Sequence, residues 1–195
     1  DALYCDGKES LVVQSTKTVM ADVFQCLIRW LAPIIPFTSE EAWQCWRNDI
    51  KKENYLSCHL LNKIELSDDW NNELLEEEWT KILEIKNAFT FAVEKKRNLK
   101  EIKSSLEARV FIYFKSKEYR KIVDAHDLSQ ILISADVTIT EDYDEHFLFN
   151  SEEKVIGVKI IKEDGDKCPR CWKLFKKIDL GSELCKRCES VINEN

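Results

Sequence analysis

The chain has 195 residues, a formal charge of -7, and 44% hydrophobic and 33% charged residues, an ordinary globular balance rather than a disordered or membrane one. Its four glycines, at 7, 157, 165 and 181, never stand closer than eight positions, which excludes a P-loop and a dinucleotide loop, since each needs two or three glycines within about six residues. Its three histidines, 59, 126 and 146, form no His-Glu-x-x-His pair, so a histidine zincin helix is excluded too.

A chain of this length should bury roughly 70% of the surface its unfolded form exposes, enough for one large domain or two small ones. No apolar run approaches the ~20 residues of a membrane helix, and Arg29 interrupts the longest candidate, 24–37. The expectation is a soluble chain with no membrane partner. Residue 1 is Asp, with no methionine and no basic and apolar leader, which reads as a fragment.

In chain order, Val19, Met20, Val23, Phe24, Leu27, Ile28 and Leu31 recur at three and four residue intervals and predict an amphipathic helix over 17–31. Pro33 and Pro36 stop it. Thr38 followed by Glu41 forms a capping box, so a second helix should start there and present Trp43, Trp46 and Ile50 on one side, as core. Another capped start near Ser67 to Asp69 opens a helix of about seven turns, outlined by Leu75, Trp79, Ile82, Phe89 and Val93. The basic stretch Lys95, Lys96, Arg97, Lys100 and Lys103 reads as a solvated end on the helix dipole. Beyond Leu106 the period changes: a strand over 109–115, a helix over 117–125, a strand over 131–140 and alternation again over 154–162 predict a small α+β module. Asp164, Gly165 and Asp166 then mark a turn.

The eight cysteines fall into two groups. Cys5, Cys26, Cys45 and Cys58 are scattered and read as small buried hydrophobes of a reducing compartment. Cys168, Cys171, Cys185 and Cys188 form two CxxC pairs, and each pair can turn two thiolates toward one ion. Two such knuckles complete a tetrahedron for one structural zinc with no position left for substrate, a reading favoured over disulfides, a redox CxxC or iron. Metal binding and folding of 168–188 should be coupled, because so short a segment builds no core of its own.

The same segment carries Arg170, Lys173, Lys176, Lys177, Lys186 and Arg187 against Asp179 and Glu183, a formal +4, and four thiolates with a zinc dication leave it at +2. Trp172 and Phe175 stand among these bases. A basic surface with an aromatic side chain suits single-stranded or looped nucleic acid. The other reading is that Trp172 packs on the knuckle and the lysines are merely solvated; composition leaves both open.

Several stretches together resemble one family. Residues 29–43, RWLAPIIPFTSEEAW, resemble the helical anticodon-binding domain of the class I synthetases for branched aliphatic amino acids. Residues 103–108, KSSLEA, with Cys-Pro-Arg-Cys-Trp172 and Leu184-Cys-Lys-Arg-Cys188, are similar to the C-terminal region of bacterial-type isoleucyl-tRNA synthetases. Lys103 stands where that family usually has glycine. The resemblance implies that Cys168, Cys171, Cys185 and Cys188 bind zinc and that Arg170 and Trp172 lie beside the tRNA anticodon loop. Lys173, Lys176, Lys186 and Arg187 are further candidates for tRNA contact. The partners it implies are the anticodon stem-loop of isoleucine tRNA and the enzyme's catalytic and editing domains, with a monomeric, cytoplasmic protein. ATP and Mg belong to the catalytic domain, whose His-x-Gly-His and Lys-Met-Ser-Lys-Ser type motifs do not occur here; the chain alone should be inactive.

The fold expected is mainly α: a helical anticodon-binding bundle over 1–102, a small α+β module over 103–164 and a zinc-bearing end over 165–195. The competing function is a zinc-ribbon module that binds protein, with Trp172 as its hot spot. A free-standing hydrolase or transferase finds no nucleophile, base and oxyanion donor in the motif spacing.

Overall fold

A computed structural model describes residues 1–50, 55–142, 144–149, 155–176 and 183–193. It divides into two units, one of residues 2 and 8–71, the other of residues 1, 3–7 and 72–195.

In the first unit, helix α2 (Leu11–Leu31) starts earlier than the stripe over 17–31, because Ser10 accepts a hydrogen bond from the Val13 N–H and caps a first turn that carries Leu11, Val12 and Val13. It follows the short α1 (Ala2–Cys5). Helix α3 (Pro36–Ile50) starts at Pro36 rather than at the Thr38 capping box. Proline suits a first helical position, where its missing N–H costs nothing. Trp43 is fully buried and joins Ile28, Ala32 and Cys58, with Phe24 stacked on Trp46 at 4.7 Å. The tryptophans are core, as their spacing predicts; the side chain of Ile50 lies outside the described residues. The α2 stripe divides: Ile28 is buried, whereas Val19, Met20, Val23 and Leu27 stay exposed.

Glu40 ties α3 to the chain's return. Its carboxylate accepts from Gln44 Nε2 (2.6 Å), from Ser57 Oγ (2.8 Å) and from the Cys58 N–H (3.0 Å). These bonds, that of Gln44 foremost, outweigh burial and hold the carboxyl at about 2. Burial, and then the Glu40 charge, push the Cys58 thiol up to about 11.

In the second unit, α4 (Glu73–Asn98) is capped by Asn72, whose Oδ1 accepts from the Leu75 N–H at 3.0 Å. The start expected at Ser67 to Asp69 is instead a separate 3-10 turn, Asp68–Trp70. Ile82, Ile85, Ala88, Phe89, Ala92 and Val93 are buried, while Leu75 and Trp79 remain exposed on the first turns. Lys95, Lys96 and Arg97 end the helix, and Lys100 (φ 59°) turns the chain out of it in the left-handed region.

Helix α4 lies on a four-stranded sheet of order β2-β1-β4-β3, made of β1 (Ala108–Phe114), β2 (Asp136–Thr140), β3 (Leu148–Phe149) and β4 (Ile156–Lys162). Strand β1 runs parallel to β2 and antiparallel to β4, with Val110 opposite Val137 and Ile160. Ala108, Val110 and Ile112 alternate inward and meet Ile85, Phe89 and Val93 of α4. Helix α5 (Lys117–Ala125) has the bounds its sequence predicts, capped by Ser116, and provides the crossover from β1 to β2.

The strand expected over 131–140 is shorter. Asp127 Oδ1 accepts from the N–H groups of Ser129 and Gln130 and starts a single helical turn, α6 (Leu128–Ile131), so the strand opens only at Asp136. Lys154, where the last alternation was expected to begin, lies outside the described residues. The fold is mainly α, with this four-stranded sheet as the larger of two sheets among the described residues, and no helix among them is long and apolar enough to cross a membrane.

Candidate metal centre

The last part of this unit is built from short pieces with little apolar surface of their own. A hairpin pairs β5 (Asp166–Lys167) with β6 (Leu174–Phe175), and α7 (Lys186–Asn193) closes the chain. Gly165 begins the hairpin, where a Cβ would stand 2.2 Å from the carbonyl oxygen of Phe175, so no side chain fits. Within the hairpin the first CxxC forms a tight turn: the Cys168 N–H donates to the Lys173 carbonyl (3.0 Å), and the Trp172 N–H donates to the Cys168 carbonyl (2.9 Å). The second CxxC runs into α7, with Cys188 on its first turn.

These two turns bring Cys168, Cys171, Cys185 and Cys188 together, with all four Sγ atoms within 4.8 Å of one another. Cys168 and Cys188 are fully buried. A tetrahedron of ~2.3 Å Zn–S bonds places sulfurs about 3.8 Å apart, and Cys171 Sγ stands 3.6 Å from Cys185 Sγ. Four soft donors at this spacing, with no carboxylate or imidazole among them, fit a structural zinc and leave no coordination site for chemistry. Burial raises the Cys168 thiol, but the N–H groups of Cys171, Cys185 and Arg170 outweigh it and bring the group down to about 6. Burial dominates at Cys171, which is pushed up, and at Cys188, raised to about 11. Cys168 thus stands ready as a thiolate, and a cation must displace the protons of Cys171 and Cys188.

Around this centre the cations separate by role. Trp172 is 61% exposed, with Lys167 Nζ 5.3 Å from its ring centroid. Its φ of 67° puts an indole in the left-handed region, where glycine is the unstrained choice. Lys176 and Lys186 are exposed. Lys173 turns inward and donates to the Ser129 carbonyl at 3.2 Å; burial, then the Arg187 charge, lower its affinity for a proton. Arg170 donates through Nη1 to the Cys5 carbonyl and to Cys188 Sγ, and Arg187 pairs with Asp1 and Asp6. Lys177 and Asp179, counted in the segment's charge, lie outside the described residues. A cavity of about 670 Å³ opens between the knuckles and α6, lined by Arg109, Ser129, Gln130, Lys173 and Lys186 among others.

Sequence reasoning missed Lys167, which lies one residue before the patterned segment, and the contacts of residues 1–6, which come from more than 160 positions away. It also missed the convergence of Glu40, Cys58 and His59 within 4.8 Å in the first unit, where the carboxylate is engaged by the turn it caps.

Two family models match the chain. Residues 1–112 match the model of the anticodon-binding domain of tRNA ligase. The chain belongs to that family. Residues 165–191 match the zinc finger found in FPG and IleRS, the segment that holds the four thiols. Among curated relatives, the chain is 35% identical over 185 residues to an isoleucine–tRNA ligase of Agrobacterium fabrum, covering 94% of this chain and 18% of that protein. The isoleucine–tRNA ligase of Brachyspira hyodysenteriae is 33% identical over 197 residues, 98% of this chain and 21% of that protein. That of Caldicellulosiruptor saccharolyticus is 36% identical over 198 residues, with 98% and 20% covered. The chain therefore spans about a fifth of the length of these relatives.

Proposed function

We propose that this chain recognises the anticodon of isoleucine tRNA as part of an isoleucine–tRNA ligase, whose catalytic body uses ATP and Mg to join the amino acid to the tRNA. The relatives carry that activity in their names, and the family match over 1–112 supplies the tRNA-binding class. In this reading residues 1–102 form the helical anticodon-binding part, 103–164 a spacer module and 165–195 the metal end. Zinc held by Cys168, Cys171, Cys185 and Cys188 is structural; it orients residues and takes no part in a reaction. The work of this region is positioning: gripping the anticodon places the distant acceptor end at the catalytic body, which binds ATP and carries out the transfer.

The observation that carries the proposal is Trp172, an exposed aromatic held in a strained backbone conformation on a metal-fixed turn. Such strain persists where it serves a purpose. An unstacked anticodon base lies on the indole face, Lys167 reaches base edge or phosphate, Lys176 and Lys186 add phosphate contacts, and Arg170, whose Nη1 is held by the Cys5 carbonyl and Cys188 Sγ, offers only its remaining N–H groups. Lys173 and Arg187, turned toward protein groups, contribute less. The protein acts in the cytoplasm as a monomer, with the catalytic and editing domains as its covalent partners.

Filter binding of isoleucine tRNA at stepped salt concentrations tests this, with Trp172→Gly as the variant. Glycine removes the ring and relieves the backbone, so zinc content and thermal stability should hold or rise while tRNA affinity falls about tenfold to a hundredfold, one base stack's worth. Equal affinity for isoleucine tRNA and unrelated tRNAs, or an unaltered affinity in the glycine variant, would sink the proposal and favour a protein-binding zinc ribbon.

A further inference from the structure

The two CxxC turns share a detail that zinc binding does not require. Each has arginine at its third position, Arg170 in Cys-Pro-Arg-Cys and Arg187 in Cys-Lys-Arg-Cys, and both arginines are directed to residues 1–6. Arg187 Nε donates to Asp6 Oδ1 at 2.7 Å and Nη1 to Asp1 Oδ2 at 2.9 Å. The three side chains are only 23%, 15% and 19% exposed, so these bonds are sheltered from water and charge-assisted on both sides. Arg170 Nη1 bridges the Cys5 carbonyl and Cys188 Sγ, linking the first turn, the second turn and the chain's first residues through one guanidinium. Cys5 itself is 4% exposed and packs in one cluster with Cys168, Cys171 and Cys188, its Sγ donating to Asp1 Oδ1 at 3.4 Å.

We propose that residues 1–6 are an anchor for the metal end, and that Arg187 with Asp6 and Asp1 is a positioning device rather than an RNA contact. The zinc fixes the two turns to each other. The anchor fixes the pair of turns to Asp1, Cys5 and Asp6 of the same unit, and so sets the direction in which Trp172 is offered within it. Neither cross-link is complete alone: a hairpin of two-residue strands with an eight-residue helix has too little apolar surface to orient itself. Metal and anchor should therefore be coupled, each holding the other in place.

The test reads the zinc-loaded 195-residue chain, as wild type and with Asp6→Asn, Arg187→Asp, and Asp6→Arg combined with Arg187→Asp, by the rate at which zinc passes to a chelator. Asp6→Asn should release zinc on the order of tenfold faster, the scale of one charge-assisted hydrogen bond, Arg187→Asp, which loses its bonds to both Asp6 and Asp1, faster still, and the reversed pair should regain the part of that loss that Asp6 carries. A second measurement needs no variant. In wild type, chelation should expose Cys5 to alkylation in step with Cys168, as followed by peptide mass mapping. Unchanged release in the single variants, no recovery in the reversed pair, or Cys5 still protected after chelation would each overturn the anchor. The effect on Trp172 rests on the tRNA reading, but zinc release is measured without tRNA, so the two can fail separately. If Arg187 instead touched RNA, Arg187→Asp would weaken tRNA binding with zinc release unaltered, and the anchor would be refuted.

Discussion

The sheet and the metal end of the second unit reach order by opposite means. The sheet buries Ile85, Val110, Ile112, Val158 and Ile160 almost completely between α4 and β1, β2 and β4, so apolar burial holds it without any cross-link. The metal end has two-residue strands, one short helix and a cluster made chiefly of thiols. Its order is borrowed from a cation and, by our inference, from residues far away in the chain. Burial is spread over many side chains and fails gradually, whereas four ligands around one ion fail together. A region held in that second way can present a strained, exposed side chain such as Trp172, because the strain is set against metal–sulfur bonds rather than against a soft core.

The largest effect that could break this contrast is removal of zinc. Chelation, or Cys168→Ser, should abolish order in the metal end, since structural zinc supplies on the order of 10 kcal/mol to such modules. The sheet should survive. Hydrogen exchange would show it: amides of 166–175 and 186–193 lose protection, while those of Val110, Ile112 and Val158 keep theirs. Loss of protection in both regions would mean that the sheet leans on the metal after all.

The converse change is Ile112→Ala, at a fully buried position facing α4. It should cost about 2–5 kcal/mol by lost burial and the cavity left behind, read from denaturant unfolding followed at the sheet. Zinc content measured on the folded protein should stay at one per chain. A smaller effect sharpens the view of α4: Lys100→Gly removes a left-handed lysine at the helix end and should raise stability by about 0.5–1 kcal/mol. The same denaturant titration measures it, with no effect on zinc release.

Legibility in the sequence followed the range of the interactions. Helix α5 was readable to its ends because Ser116, its cap, and Tyr119 and Val123, its buried side chains, all lie within one short window. Helix starts were harder. Thr38 and Ser67 are good caps by type, but one helix opens already at Pro36 and the other is capped by Asn72, because where a helix begins also depends on what the preceding chain must reach. The strand expected from Ile131 lost its first residues to Asp127, whose side chain satisfies two backbone donors and makes a helical turn the better local choice. At the site, the thiols were readable because ligand spacing is a local property of each turn. The cations were not, because a formal charge does not say where it points.

The sequence by itself determined the ligand chemistry of the metal end, the tryptophan core of the first unit and the succession of long helices followed by short strands. Those depend on residue type, on spacing within a turn and on periodicity, all fixed along the chain. Tertiary structure alone decided which of the described bases of 168–188 stay exposed at the surface. Arg187 is matched by Asp1 and Asp6, Lys173 is turned to the Ser129 carbonyl, and Trp172 is left outside with Lys167 beside it. Partners more than 160 residues apart meet only when the chain has folded, and it is their meeting that turns a positive stretch of sequence into a surface with one aromatic at its edge.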